Sequence, residues 1–294
     1  RVIDFFRRYH PEVVVVTGGY AGAPAGIAAG LMGVPLVLQE QNSVPGIVTK
    51  LLTKVATRVH VAYPEVVHRL PLSAERCVVS GNPVRSRSGL GRNEARCAFG
   101  IPEHATLAFV TGGSQGSSAL NEVFTAYVAG VSRGDIKRPE ELHLLWSTGS
   151  GHFAGVVRSF GECGVPRWVH ALPYIEDMPG ALVAADLAVS RAGAMTIAEF
   201  LNHGLPAVLV PLPTATQNHQ EHNARALEAA GAARVVPQRE LSPSRLAEEI
   251  ASMAMDPLSL EQMGMRASER AYPRATQEIA GDVTTMLSPI RSAA

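Results

Sequence analysis

Several short strings in this chain carry residues able to do chemistry. Thr111-Gly112-Gly113-Ser114-Gln115-Gly116 follows an apolar run and precedes a helical pattern. Glycines there let backbone approach a ligand, a helix start offers unpaired N–H groups to a phosphate, and Ser114 adds a hydroxyl. The same turn would also serve only to pack a helix on a strand. Arg191-Ala192-Gly193-Ala194, followed by the helical pattern Met195 to His203, repeats the arrangement and adds an acid, Glu199. A carboxylate there can accept hydrogen bonds from two adjacent ribose hydroxyls, as acids do in nucleotide-binding α/β folds. It can equally be a surface acid near a positive helix end, worth about 0.3–1 kcal/mol. The residues alone leave both readings open.

Gly18-Gly19-Tyr20-Ala21-Gly22-Ala23-Pro24 is another glycine loop of this kind, and Gln39-Glu40-Gln41-Asn42 is a polar cluster at a strand end. Such a cluster suits a sugar, although turn formation by Asn42 and Ser43 explains it too. Gly81-Asn82-Pro83-Val84-Arg85 closes the first half with a lone cation. Asn218, His219 and Gln220 can read sugar hydroxyls, since amides both donate and accept. His219 and His222 stand three apart, but no acid or thiol nearby completes a metal set, so no metal is expected.

These strings need strands to end where they begin. Short apolar runs alternate with helix-length amphipathic stretches, the pattern of parallel sheets with helical crossovers. Strands are expected at Val13 to Val16, Leu36 to Leu38, Arg58 to Val61 and Cys77 to Val79, with helices at Pro24 to Met32 and Gly46 to Val55. The polar stretch Arg85 to Asn93 reads as a linker. The alternation restarts at Leu107 to Val110 and continues through Leu142 to Trp146, Trp168 to Ala171, Leu187 to Ser190, Ala207 to Val210 and Arg234 to Val236. A helix is expected through Leu120 to Val128, and the last fifty or so residues read as helices from a cap at Ser242 or Ser244. In such sheets ligands sit at the carboxyl ends of strands, here in a cleft between two lobes.

Composition agrees with this reading. The 294 residues exceed the usual size of one core, so two domains are expected. With 26 basic and 26 acidic residues, nothing points to nucleic acid. Cys77, Cys97 and Cys163 are odd in number and widely spaced, which fits a reducing cytoplasm. Val13 to Leu38 has no charge and is long enough to span a bilayer, but its six glycines and two prolines fit strand, loop, helix and strand better. The chain opens on Arg1 with no signal peptide, and a missing N-terminus is expected.

Taken in order, GGYAGAPAG, QEQNSVPG, SGNPVR, GGSQG, PYIEDM, RAGAMTIAE and NHQEHNA resemble the MurG family over nearly the whole chain. These are UDP-N-acetylglucosamine:undecaprenyl-pyrophosphoryl-MurNAc-pentapeptide N-acetylglucosaminyltransferases. The resemblance implies a GT-B fold: α/β, two Rossmann-like parallel-sheet domains facing a cleft, the first incomplete at its N-terminus. The expected bounds are 1–85 for an acceptor-side domain, 86–93 for the linker and 94–280 for a UDP-GlcNAc-binding domain. A C-terminal helix in 281–294 is expected to return to the first domain.

Carried over by position, the resemblance implies UDP-GlcNAc contacts at Asn42, Arg85, Ser114, Ile175, Ala194, Met195, Thr196, Ile197, Ala198, Glu199 and Gln220. Ile175 meets the uracil through its backbone, Glu199 holds the ribose, Gln220 (with His219) meets the sugar, and Gly18 to Pro24 holds the acceptor's pyrophosphate. The family's candidate general base belongs to a segment before Arg1, so catalytic residues stay unassigned and slow transfer is expected. The implied reaction is inverting transfer of N-acetylglucosamine to the C4 hydroxyl of MurNAc in a lipid-linked precursor, in cell wall synthesis coupled to cell shape and division. It needs no cofactor or metal and takes place peripherally on the cytoplasmic face of the membrane. Two rivals are a donor-binding module inactive by itself and a UDP-sugar epimerase of related fold.

Overall fold

The computed structural model describes residues 1–71, 74–161 and 164–287. Cys163, and residues 288–294 of the expected C-terminal return, lie outside the described residues. The chain divides into two compact units, one made of Arg1–Val84 with Tyr272–Ala294, the other of Arg85–Ala271.

The first unit is a parallel sheet in the order β1 (Val14–Val16), β2 (Leu36–Glu40), β3 (Arg58–Val61), β4 (Cys77–Val79). Parallel neighbours require crossovers, and α2 (Ala23–Met32) and α3 (Ile47–Leu52) supply them. β2 is buried along its whole length, as a central parallel strand must be. β1 is an edge, and Val15 on it is 45% exposed. The uncharged stretch from Val13 to Leu38 is therefore β1, a short helical turn at Tyr20–Gly22, α2 and β2. No helix among the described residues is long and apolar enough to cross a membrane.

A helix before β1, α1 (Val2–Tyr9), and one at the other end of the chain, α12 (Ala275–Thr285), complete this unit. Asp282 on α12 lies 3.2 Å from Arg58 Nε and 3.3 Å from His60 Nε2, both on β3. Thr276 Oγ1 donates to the Val84 carbonyl at 3.3 Å. The chain thus returns to its first unit from Tyr272, earlier than the expected 281.

The second unit holds six parallel strands: β5 (Thr106–Thr111), β6 (Leu142–Ser147), β7 (Val169–Leu172), β8 (Leu187–Ser190), β9 (Ala207–Leu209) and β10 (Ala233–Val235). Their order is β10-β9-β8-β5-β6-β7. This is the doubly wound nucleotide-binding order, and its direction reverses between β5 and β8. The sheet is covered by α5 (Ser118–Arg133), α6 (Ser150–Ser159), α7 (Met178–Ala184), α8 (Ala194–His203), α9 (His219–Ala229), α10 (Pro243–Ala254) and α11 (Pro257–Glu269). One face packs Leu120, Phe124 and Tyr127 of α5 and Ile250 of α10 against Leu144, Trp146 and Val189. The buried Asn121 inside that core is satisfied: its amide donates to the Thr148 carbonyl at 2.8 Å and its oxygen accepts from Trp146 Nε1 at 3.1 Å.

The expected linker is shortened by a helix, α4 (Arg92–Ala98), whose first turn begins inside it. The Glu94 carboxylate accepts from the Gly91 N–H at 2.8 Å and starts that helix. Arg96 of α4 then reaches Asp186 at 2.6 Å, and Asp186 also accepts from the Leu107 N–H at 2.8 Å. Burial lowers the Arg96 pKa to about 10. The C-terminal helices begin at Ser242, whose hydroxyl accepts from the Arg245 N–H.

Candidate functional site

In the second unit the two glycine-rich turns leave adjacent strands. Thr111 and Ser190 are register partners on β5 and β8, and the loops that follow them flank the point where strand order reverses. An open α/β sheet has its natural crevice there. Ser114 is exposed in the first loop. Gly116 has a φ of +79°, and a Cβ on it would stand 2.1 Å from the Thr148 carbonyl oxygen, so only glycine lets this loop lie against the one after β6.

The two helix starts differ. Ser117 caps α5, its hydroxyl accepting from the Leu120 N–H. Gly193 gives α8 no side-chain cap, and no acid lies in its first turn. A helix start with positive partial charge and no carboxylate of its own favours an anion.

Glu199 lies on α8 beyond that first turn and is half-buried. Burial raises its pKa, and Arg85 pulls it back down. Arg85 is exposed and belongs to this same unit. Of the run from Ala194 to Glu199, Ala194, Met195, Thr196 and Ala198 keep surface, whereas the Ile197 side chain is in the core. Ile197, at 1% exposure, presents almost no surface. Ile175, in the loop after β7, is only 2% exposed.

The loop after β9 brings up Gln220. Its side-chain oxygen accepts from the Leu212 N–H at 3.0 Å, so its two amide hydrogens are what it can offer a sugar. His219 Nδ1 donates to the Thr216 carbonyl at 2.6 Å, leaving Nε2 as an acceptor. The structure thus puts Arg85, Ser114, Ile175, Ala194 to Glu199 and Gln220 in one unit, most of them in loops or helix starts after strands. Asn42 belongs to the other unit.

Asn42 is held by Glu40, which sequence reading treated only as part of a polar cluster. The buried Glu40 carboxylate accepts from the Asn42 N–H at 3.1 Å, from Thr49 Oγ1 at 2.6 Å and from the Gly46 N–H at 3.0 Å. It orders the whole segment from Asn42 to Gly46. Arg191 reads in the sequence only as the first residue of a turn. Its Nε donates to Ser117 Oγ at 3.1 Å, its Nη1 to the Val210 carbonyl at 3.2 Å, and its Nη2 to Gln238 Oε1 at 2.7 Å. One buried guanidinium so ties the loop after β5 to the ends of β8 and β9. The only signal for it was an arginine placed directly at a strand end.

Among the described residues no group of three or more His, Cys, Asp or Glu side chains is arranged to hold a metal ion. Cys77 is half-buried and Cys97 exposed, both as free thiols.

Comparison with known proteins bears on the family and the fold. Residues 107–279 match the glycosyltransferase family 28 C-terminal domain, and residues 1–61 match the family 28 N-terminal domain. A UDP-N-acetylglucosamine–N-acetylmuramyl-(pentapeptide) pyrophosphoryl-undecaprenol N-acetylglucosamine transferase of Acetivibrio thermocellus is 37% identical, covering 92% of this chain and 72% of the relative. The protein of the same name from Salinibacter ruber is 39% identical, covering 96% of this chain and 74% of the relative. The crystal structure of Acinetobacter baumannii MurG superposes with a TM-score of 0.76 at 28% identity, covering 97% of this chain and 77% of that one. A UDP-GlcNAc 2-epimerase from Neisseria meningitidis, at 12% identity and a TM-score of 0.63, shares the fold alone. The chain belongs to the MurG family within glycosyltransferase family 28, and is a hexosyltransferase of GT-B fold.

Proposed function

We propose that this chain transfers N-acetylglucosamine from UDP-N-acetylglucosamine to the C4 hydroxyl of MurNAc in an undecaprenyl-pyrophosphoryl-MurNAc-pentapeptide, with inversion at the anomeric carbon. The observation that carries this reading is the start of α8, with no acid in its first turn, followed by the half-buried Glu199. The helix start faces the diphosphate, Glu199 accepts from the two ribose hydroxyls, and the backbone at Ile175 meets the uracil. Ser114 and Arg85 add donors to the diphosphate as it departs with its charge, the role a metal plays elsewhere. Gln220 donates to the sugar, with His219 Nε2 accepting beside it. In the first unit, Asn42 and the loop from Gly18 to Pro24 serve the sugar and the acceptor's pyrophosphate.

A lipid-linked acceptor places the work at the cytoplasmic membrane surface. Leu31 (73% exposed), Leu51 (55%) and Phe5 (54%) are apolar side chains on α2, α3 and α1, and Arg7, Arg8 and Lys50 accompany them on α1 and α3. Apolar and basic residues together suit an anionic lipid surface.

The test is to follow labelled sugar from UDP-N-acetylglucosamine into a lipid-linked MurNAc acceptor in anionic vesicles, with co-sedimentation as a second readout. Labelled lipid product and bound protein are expected. Interconversion of UDP-sugars without any acceptor would favour an epimerase instead, and a folded sample that neither binds the donor nor sediments would end the proposal.

A further inference from the structure

The first unit holds a buried pair of carboxamides. Gln39, next to the last residue of β2, is 2% exposed, and Asn82, three residues past the end of β4, is 4% exposed. β3 stands between β2 and β4, so the chain leaving β4 must cross the end of β3 to bring these side chains together. It crosses through Ser80 and Gly81, whose N–H groups both donate to the Val61 carbonyl, at 3.1 and 3.2 Å. Gly81 has a φ of +80°, and a Cβ on it would collide with the Cβ of Tyr272, so the crossing requires glycine.

Asn82 Nδ2 donates to the Gln41 carbonyl at 3.0 Å, and Gln39 Nε2 donates to Asn82 Oδ1 at 2.8 Å. A carbonyl can only accept, so the Asn82 amide must turn its hydrogens to Gln41 and its oxygen to Gln39. The N–H of that same Gln41–Asn42 peptide donates to Glu40 Oε1 at 3.1 Å. Both ends of one planar peptide unit are thereby pinned, its oxygen by Asn82 and its hydrogen by Glu40. Asn42 springs directly from this plane. Gln39 meanwhile leaves its own Oε1 buried with no partner. That is a cost to the fold of the kind retained where a position serves function.

We propose that Asn82, oriented by Gln39, is a positioning residue that fixes the aim of Asn42 at the donor's sugar. This role rests on the proposed donor reading, in which Asn42 meets the sugar and the second unit holds the nucleotide. Asn82 acts through the peptide before Asn42 and needs no contact with the ligand. Its loss is therefore felt by the sugar and not by the nucleotide.

Calorimetric titrations of the full chain with UDP and with UDP-N-acetylglucosamine, run side by side, test it. Asn82→Asp keeps the size and the acceptor for Gln39, but sets a carboxylate oxygen against the Gln41 carbonyl. It is expected to weaken UDP-N-acetylglucosamine about tenfold, the scale of one lost hydrogen bond, while UDP binds as it does to the parent. In an Asn42→Ala background the same substitution should cost nothing further, because the two act through one contact. Ser80→Ala gives the comparison for a merely structural effect. Ser80 is fully buried, its Oγ lies 3.2 Å from His60 Nδ1, and it is expected to lower the melting temperature without changing the ratio of the two affinities. Should Asn82→Asp fail to fold, Gln39→Glu tests the same contact. Its carboxylate calls for the Asn82 hydrogens and turns the Asn82 oxygen toward Gln41, so the same selective loss is expected. The role is overturned by equal losses for both ligands, by no loss, or by losses that add in the double variant. A folded parent that binds neither ligand removes the donor reading itself, and this role with it.

Discussion

Glu199 illustrates how a single side chain can be costly to the fold and useful to a ligand. Burial raises its pKa above the ordinary carboxylate value, so at neutral pH the ionised form is held against its preference. A raised carboxyl pKa contributes stability that is fully present below the unfolded value and is lost as pH rises through the folded one. Glu199→Gln is therefore expected to raise the melting temperature at pH 7.5 while weakening the donor. UDP-N-acetylglucosamine has no phosphate proton to lose in this range. Its affinity should fall as pH is lowered from 7.5 towards the raised pKa, and the fall should vanish in Glu199→Gln. Titrations at several pH values would decide; parallel slopes in both proteins would count against an ionised Glu199 at the ribose. The acid itself was legible, because it follows a glycine turn at a fixed spacing. Arg191 and Glu40 were not legible in their roles. Arg191 meets Ser117, Val210 and Gln238, and Glu40 closes its own loop at Gly46 and Thr49, contacts that only the folded chain brings about.

Among the elements, the strands were the most readable. Parallel strands buried on both faces appear as uninterrupted apolar runs, and β1 to β10 fall on the expected runs to within a residue or two. α4 escaped because RNEARCA is polar and short, and its start depends on Glu94 reaching back to a glycine. The return of a C-terminal helix to the first unit is legible, but not its start at Tyr272 or the contacts that fix it, since Asp282 meets Arg58 and His60 more than two hundred residues away in sequence. That attachment has consequences of its own. Burial lowers the His60 pKa below 6.5, while Asp282 partly restores it. A depressed folded pKa gives stability that is present above the unfolded value and is lost as pH falls through the folded one. The first unit should thus weaken on acidification below about pH 6.5. Asp282→Ala removes the carboxylate that stands beside both Arg58 and His60. It is expected to cost about 1–3 kcal/mol, between the values for exposed and buried pairs. Thermal melts of the two proteins at pH 7.5 check this, and an unchanged melt would show that α12 is held by other contacts.

Over the whole molecule, family membership and fold were the parts best written into the chain, because seven motifs in fixed order constrain both units at once. The doubly wound order of the second sheet adds a reason that no motif states. It opens a crevice between β5 and β8, and the two turns with phosphate-binding character are the ones that border it. The first unit is legible as a parallel sheet, but its part in the reaction rests on Asn42 and a glycine loop. The weight of the functional reading therefore falls on the second unit. Calorimetric titration of UDP into the parent chain and into Glu199→Ala, each verified as folded by circular dichroism, probes that unit alone. Two hydrogen bonds to an ionised carboxylate should be lost, a change of about 2–4 kcal/mol or roughly 30- to 700-fold in affinity. Equal affinity in the two folded proteins would mean that the nucleotide sits somewhere other than the start of α8.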